Sequence, residues 1–327
     1  MTSYSGLGAQ LTVGTETTWG TAVARNRHFE HIDNKMQARR DYLRSRQLKA
    51  GAQFQTATRR VQTTKGAAGP LSMEVPNKQF GVFLNQLHGA TVTPTQQGGS
   101  AAYLQAHPIG LTDPTAKSLT IQEGVPQTDG TVAAFTYPGS KVVGATFKCA
   151  VGEFLTFAAE IDAKDLITTT ALDTFTPASA LRSFHFVQGV LTVDGASAGV
   201  VNSFELGIQI PYKSDRYTLG SDQKALPVIN DYPTVTPKID CEFNSPTLHN
   251  NFLSGAQSAL VLTFEGPTIA STYKEMIRFT IPAAGYNGDT PTVDGPDLLM
   301  QNIELETLDN GTDAPLTIDY QSVDTAI

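Results

Sequence analysis

The chain has 327 residues, 40% of them apolar and 17% charged, with a formal net charge of −8. That length accommodates two domains or one large β domain with a substantial core, and the composition excludes disordered, collagen-like and coiled-coil chains. No run of about 18 apolar residues occurs, so no helical membrane span or membrane insertion is expected, and the opening MTSYSGLGAQLTVG lacks the basic and apolar regions of a secretory signal.

In chain order, QLTVG (10–14) reads as a short strand. Residues 24–65 then hold eleven Lys/Arg against three acids. A helix is expected from Asn77, capping after Pro76, with Phe80, Phe83, Leu84 and Leu87 on one stripe and Gly89 as its stop. Residues 91–102 (TVTPTQQGGSAA) read as a surface loop. Val143, Ala145, Phe147, Cys149 and Val151 alternate, Gly152-Glu153 supplies a two-residue turn with Gly first, and Leu155, Phe157, Ala159 and Ile161 return. The Thr-rich stretch 165–180 is aperiodic and marks a boundary. Beyond it Phe204/Leu206/Ile208/Ile210, Ile239/Cys241/Phe243, Ile277/Phe279/Ile281 and Leu316/Ile318/Tyr320 each alternate with period two. Such alternation predicts sheets with one buried and one wet face. A second helix is expected from Ser245, with Pro246 at its first position, a stripe of Leu248, Phe252 and Leu253, and Gly255 at its end. The last 39 residues carry nine Asp/Glu and no Lys or Arg. Charge separation on this scale predicts contact between unlike surfaces of different copies, or a nucleic-acid partner.

The two helices share a setting. Residues 70–90 and 237–256 each read as Pro, alternating strand, helix, then Gly-Ala, 166 residues apart, and each half ends on a long hairpin (142–161 and 298–321). This order of elements suggests a tandem duplication of one unit.

Motifs for chemistry are sparse. Gly195-Ala-Ser197-Ala-Gly199 has the nucleophile-elbow spacing, but a strand pattern follows where a helix is required. His28 and His31, three apart on a strand, project to opposite faces and make a poor metal pair. Cys149 and Cys241 fit no metal or redox spacing and read as small buried hydrophobes of a reducing compartment. No Walker loop or dinucleotide fingerprint is present. The same-face pairs Glu160/Asp162, Asp240/Glu242 and Glu304/Glu306 stand roughly 6.5–7 Å apart on their strands. That spacing suits an inverting glycosidase, yet three pairs on three strands read more simply as an acidic face. The basic stretch lacks the interleaved aromatics of a stacking platform, having only Tyr42 and Phe54. The residues themselves therefore predict an oligomeric, duplicated β protein with no catalytic site, no metal and no cofactor.

Gly14-Thr-Glu-Thr-Thr-Trp19-Gly20-Thr-Ala22 resembles the opening of the tail tube proteins (major tail proteins) of long, flexible-tailed bacteriophages. The resemblance continues through Ser118–Ile121, Tyr137–Phe147, Gly295–Ile303 and Ala314–Ile318, and so spans nearly the whole chain. It implies an all-β protein with minor helix: tandem duplicated tail-tube β-sandwich or barrel units, each with one flanking α-helix, here over 1–168 and 175–327. It further implies a structural virion protein, made in the host cytoplasm and assembled into the tail, whose stacked rings conduct DNA during ejection. A duplicated chain implies trimeric rings with pseudo-six-fold symmetry, the alternative being a homohexamer. The implied partners are other copies, the tail tape-measure protein, terminator and tip proteins, and transiently passing double-stranded DNA. After the 298–321 hairpin only six residues follow, so the immunoglobulin-like decoration of many relatives is not expected here.

In that setting, some of the candidates Glu160, Asp162, Asp240, Glu242, Glu304 and Glu306 are expected to face the lumen, because carboxylates repel DNA phosphates where a basic wall would hold them. Residues 35–60 are expected to form a long loop or hairpin that reaches a neighbouring subunit or ring, with Arg39, Arg40, Arg44, Arg46, Arg59 and Arg60 at the contact. Two rival readings are a closed-ring adaptor, terminator or injection-apparatus tube component, and, more remotely, a β-sandwich carbohydrate-active enzyme.

Overall fold

The computed structural model describes residues 5–288, 290–293 and 295–327. Its first half contains β1 (Gln10–Thr15), β2 (Arg27–Phe29), β3 (Asp33–Asn34), β4 (Gln37–Arg44), β5 (Arg60–Glu74), α1 (Gly81–Leu84), β6 (Thr95–Gln96), β7 (Tyr103–Ile109), β8 (Leu119–Pro126), β9 (Val132–Ala150) and β10 (Thr156–Ala163). Its second half contains β11 (Gly189–Val193), β12 (Ala196–Ser197), β13 (Val201–Gln209), β14 (Tyr212–Lys213), β15 (Val228–Ile229), β16 (Thr234–Glu242), α2 (Thr247–Ser254), β17 (Gln257–Ala270), β18 (Tyr273–Tyr286), β19 (Met300–Thr307) and β20 (Leu316–Ser322). The protein is all-β with minor helix.

The main sheet runs β4-β5-β10-β9-β13-β16-β19, all antiparallel. A second sheet runs β6-β7-β20-β18-β17-β11-β12. A smaller one, β2-β1-β8, continues into the first part of β9. The two large sheets are packed face to face by an aromatic chain. Phe147 and Phe279 meet across them with ring centroids 4.9 Å apart. Phe80 lies 5.0 Å from Phe157 and 6.2 Å from Tyr320. Each such ring is fully or nearly fully buried and contributes about 1.5–3 kcal/mol of apolar transfer.

The expected alternation holds over Ala145/Phe147/Cys149, Phe157/Ala159/Ile161, Phe204/Leu206/Ile208, Ile239/Cys241, Ile277/Phe279/Ile281 and Leu316/Ile318/Tyr320, but a register shift opposite Glu160/Ile161 buries Val142 in place of Val143, Val151 is exposed in the turn, and Phe243 is half-buried beyond the end of β16; Cys149 and Cys241 are buried free thiols. Four further local expectations change. The first helix is a single turn, because Gln79 adopts φ +66° and starts it only at Gly81. Asn77 does not cap it; its amide is buried, donating to Glu275 Oε1 (2.7 Å) and accepting from the Arg182 N–H (2.9 Å). The stripe survives, since Phe80, Phe83, Leu84 and Leu87 are all buried. In the 142–161 hairpin, Glu153 N–H closes on Ala150 O (3.0 Å), so Gly152 is second in the turn, at φ +87°, where a side chain would be strained. The second helix is capped as expected by Gly255 at φ +67°, but Leu253 faces outward while Leu248 and Phe252 pack on the core.

The stretch 165–180 is fastened to the body. Asp165 pairs with Arg40 (2.5 Å) and Asp173 with Arg25 (2.5 Å). Ala171 O accepts from Arg25 Nη2 (3.1 Å) and Gln122 Nε2 (3.0 Å). The halves are also joined by backbone pairing of β9 with β13 and of β7 with β20.

Candidate functional site

The wet face of the main sheet is built by the residues that alternate with the core. The antiparallel registers align them into rows across the strands. One row reads Glu74, Thr156, Lys148, Glu205, Lys238, Glu304. The next reads Ser72, Ala158, Thr146, Gly207, Thr236, and the one beyond it Pro70, Glu160, Gly144, Gln209, Thr234. On the other side lie Ala150, Ser203, Asp240 and Asn302. These positions are small or polar, and no aromatic or arginine stands among them. With Glu242 and Glu306, which continue the alternation of β16 and β19, the face carries seven carboxylates against Lys148 and Lys238, a net of −5.

Five of the six carboxylates singled out in the sequence therefore share this face: Glu160, Asp240, Glu242, Glu304 and Glu306. Glu304 is tied to Lys238 (2.6 Å), which raises the pKa of that lysine. Asp162 departs from the group. It lies at the end of β10 that the segment between β14 and β15 covers, and there it is buried and paired with the buried Lys224. Burial raises its pKa while Lys224 opposes the rise. It supplies no free carboxylate to the face, and no local pattern marks Lys224 as its partner, because the two are 62 residues apart.

The basic stretch forms a hairpin arm. β4 and β5 pair from Gln37↔Ala68 to Arg44↔Arg60, and the residues from Asp41 to Val61 are nearly all exposed. Arg44 and Arg60 stand directly opposite, an unfavourable pairing of like charges; the Arg60 guanidinium is drawn instead over the Tyr42 ring, 3.5 Å from its centroid. Arg39, Arg44, Arg46 and Arg59 project to solvent. Arg40 does not: it pairs with Asp165 (2.5 Å) and donates to Gly66 O (3.0 Å), holding the base of the arm to its own subunit. The arm also presents Leu43, Leu48, Phe54 and Val61, all more than half exposed. These four side chains make the arm an exposed apolar surface flanked by basic residues.

Three of the segments that carry the family resemblance meet at one buried carboxylate that sequence reasoning passed over. Glu16 accepts from Gly20 N–H (2.8 Å), Ser118 Oγ (2.7 Å), Thr120 Oγ1 (2.8 Å) and Gly139 N–H (2.8 Å). Four donors satisfy a buried charge that would otherwise be costly. Trp19 closes over the same joint, half-buried, with Nε1 donating to Gly139 O (3.2 Å) and the Lys164 ammonium over its ring. Gly139, at φ +66°, has no room for a side chain, since a Cβ would stand 2.9 Å from Lys164 and 3.1 Å from Gly20.

The catalytic patterns weighed in the sequence are not assembled among the described residues. Ser197 sits in the exposed β12 and is followed by β13, not by a helix. The carboxylates of the main sheet lie on an open face. Glu123, whose pKa burial pushes up to about 7, stands on β8 opposite Phe135 of β9. Among the described residues no His/Cys/Asp/Glu group could hold a metal ion, and no helix is long and apolar enough to cross a membrane.

A search of curated proteins finds no match. A sequence model described as phage tail tube protein matches residues 6–307, which takes in the Glu16 joint, the arm and the whole main sheet. By that match the chain belongs to the phage tail tube protein family, and it is a structural protein of the virion tail.

Proposed function

We propose that this protein polymerises into stacked rings that form the tube of a long, flexible phage tail and conduct DNA during ejection. The observation that carries the reading is the set of wet-face rows across β5, β10, β9, β13, β16 and β19, net −5 and without arginine or aromatic side chains; Arg39 of β4 stands beyond them, near Asp162. Duplex DNA carries one phosphate per ~1.7 Å of axis, and a carboxylate-rich wall repels it within a Debye length of ~8 Å. Small Ala, Gly, Ser and Thr side chains offer passing bases nothing to stack on. Glu160, Asp240, Glu242, Glu304 and Glu306 are assigned to the lumen in this reading, and the exposed Arg39, Arg44, Arg46, Arg59 and Arg60 to the contact between subunits or rings. Arg40 and Asp162 keep structural roles within the subunit.

The duplication is kept as part of the proposal, with units at 1–168 and 175–327. In each, a main-sheet strand leads through a helix into the second sheet: β5 through α1 to β7, and β16 through α2 to β17. Two such units per chain favour a trimeric ring of pseudo-six-fold symmetry over a homohexamer. The edge of the main sheet at β4 is then open to pair with a neighbour and close the wall, whereas β19 is already paired with β18 over Leu305–Thr307 and leaves at most its start at Met300–Ile303. The tape-measure protein inside the tube and the terminator and tip proteins at its ends are the expected partners.

Negative-stain electron microscopy over a concentration series tests this. Tubes of constant width with a six-lobed end view, and three chains per repeat by mass, are expected. Closed single rings at every concentration overturn the tube in favour of an adaptor.

A further inference from the structure

The arm leaves one end of the main sheet, and an apolar, acid-flanked rim lies at the other. β10 pairs with β5 from Thr156↔Glu74 to Ala163↔Ala67. Beyond Ala67, β4 and β5 continue without β10 to Arg60, which at ~3.3 Å per residue extends the arm by roughly 20 Å. At the opposite end, the turn between β9 and β10 is bonded to the segment before β11: Leu155 N–H donates to Phe184 O (2.8 Å) and Phe186 N–H to Glu153 O (3.1 Å). This junction exposes Val151 (63%), Phe154 (48%), Phe186 (39%) and Val187 (70%). Val151 and Phe186 line a cavity of about 100 Å³, and Phe154 lines a neighbouring cleft of about 350 Å³ with Ile32.

We propose that this rim receives the arm of a second copy of the chain stacked end to end with the first. The inference rests on the tube reading above and names the acceptor that reading lacks. The two surfaces are chemically matched. The arm brings Leu43, Leu48 and Phe54 among Arg44, Arg46 and Arg59. The rim offers apolar hollows beside Glu30, Glu74 and Glu153, which make no ion pair among the described residues. Of the cations nearby, Lys78 Nζ donates to Ser179 O (2.6 Å) and Arg182 lies 3.9 Å from Glu275, while Lys148, in the row of Glu74, makes no ion pair among the described residues. An acid placed between Arg44 and Arg60 relieves their repulsion, so docking stabilises the arm as well as the contact. Unlike surfaces at opposite ends of one sheet make a heterologous contact that does not close, and repeated addition yields a filament.

The test is a photo-cross-linking residue placed at Leu48, which is fully exposed, in the full-length protein. The sample is irradiated during polymerisation, imaged by electron microscopy and mapped by mass spectrometry. Links between copies that land on 151–154 and 185–190 are the expected result. Tubes whose links land elsewhere overturn the acceptor and leave the tube reading standing. Links at the rim in closed rings or dimers keep the acceptor and overturn the tube. No polymer and no link between copies overturns both. Val187→Asp, on an exposed side chain, provides a second measure: the concentration needed for polymerisation is expected to rise roughly tenfold or more, and an unchanged threshold refutes the rim.

Discussion

Asp162 and Lys224 give the sharpest quantitative test, because they separate a buried structural pair from the carboxylates assigned to the lumen. Their side chains are 9% and 6% exposed. Lys224→Met leaves the Asp162 carboxylate buried without its partner, which costs about 3–5 kcal/mol. With an unfolding entropy of ~2.1 cal/mol/K per residue, about 0.7 kcal/mol/K for this chain, the melting temperature falls by roughly 4–7 °C. The double variant Asp162→Leu/Lys224→Met removes both charges and keeps apolar volume, so it is expected within about 1–2 kcal/mol of wild type. Calorimetry of the four proteins of the cycle gives the coupling. The double variant is expected to polymerise normally, since Asp162 contributes no carboxylate to the wet face. A single variant that loses under 1 kcal/mol, or a stable double variant that cannot polymerise, refutes the assignment.

The triple reversal Arg44→Glu/Arg46→Glu/Arg59→Glu alters only exposed side chains; by sedimentation it is expected to yield folded protein, within about 1 °C of wild type in melting temperature, that does not polymerise. Glu160→Lys/Glu205→Lys/Asp240→Lys changes the wet face from −5 to +1, and tubes of this variant are expected to retain duplex DNA at low salt and release it as salt rises, read by co-sedimentation. Stability is expected to fall as pH drops below about 6.5. His88 and His107 are buried, 3.1 Å apart, and desolvation holds them neutral, at pKa values of about 4 and about 3. The unfolded chain therefore binds protons first, the stabilisation is complete above pH 6.5, and it is lost progressively down to about pH 3. His88→Gln/His107→Gln is expected to flatten that part of the pH profile in chemical denaturation.

The sheets were legible because period-two alternation reports burial directly: Phe204, Leu206 and Ile208 point inward whatever their neighbours are. The excess of basic residues before Lys65 was equally plain, and so was the arm, since charged and apolar residues mixed without periodicity have no core to join. The length of α1 was not legible. Its apolar stripe satisfied a helix, yet Gln79 takes a left-handed conformation because its N–H is drawn to Asp324 Oδ2 (2.5 Å), 245 residues away.

What the sequence by itself determined is the all-β class, the buried and wet faces of the regular strands, the family and the charge separation, all of which depend on local pattern or on summed composition. Only the tertiary structure decided which acids are free. Glu160 and Asp162 are two residues apart on one strand, and spacing treats them alike, but Lys224 arrives from a distant loop and buries one of them. The same holds for Arg40 beside Arg39, and for the opposition of arm and rim across the main sheet. Partner choice at long range depends on register and loop path, and neither is written in the local pattern.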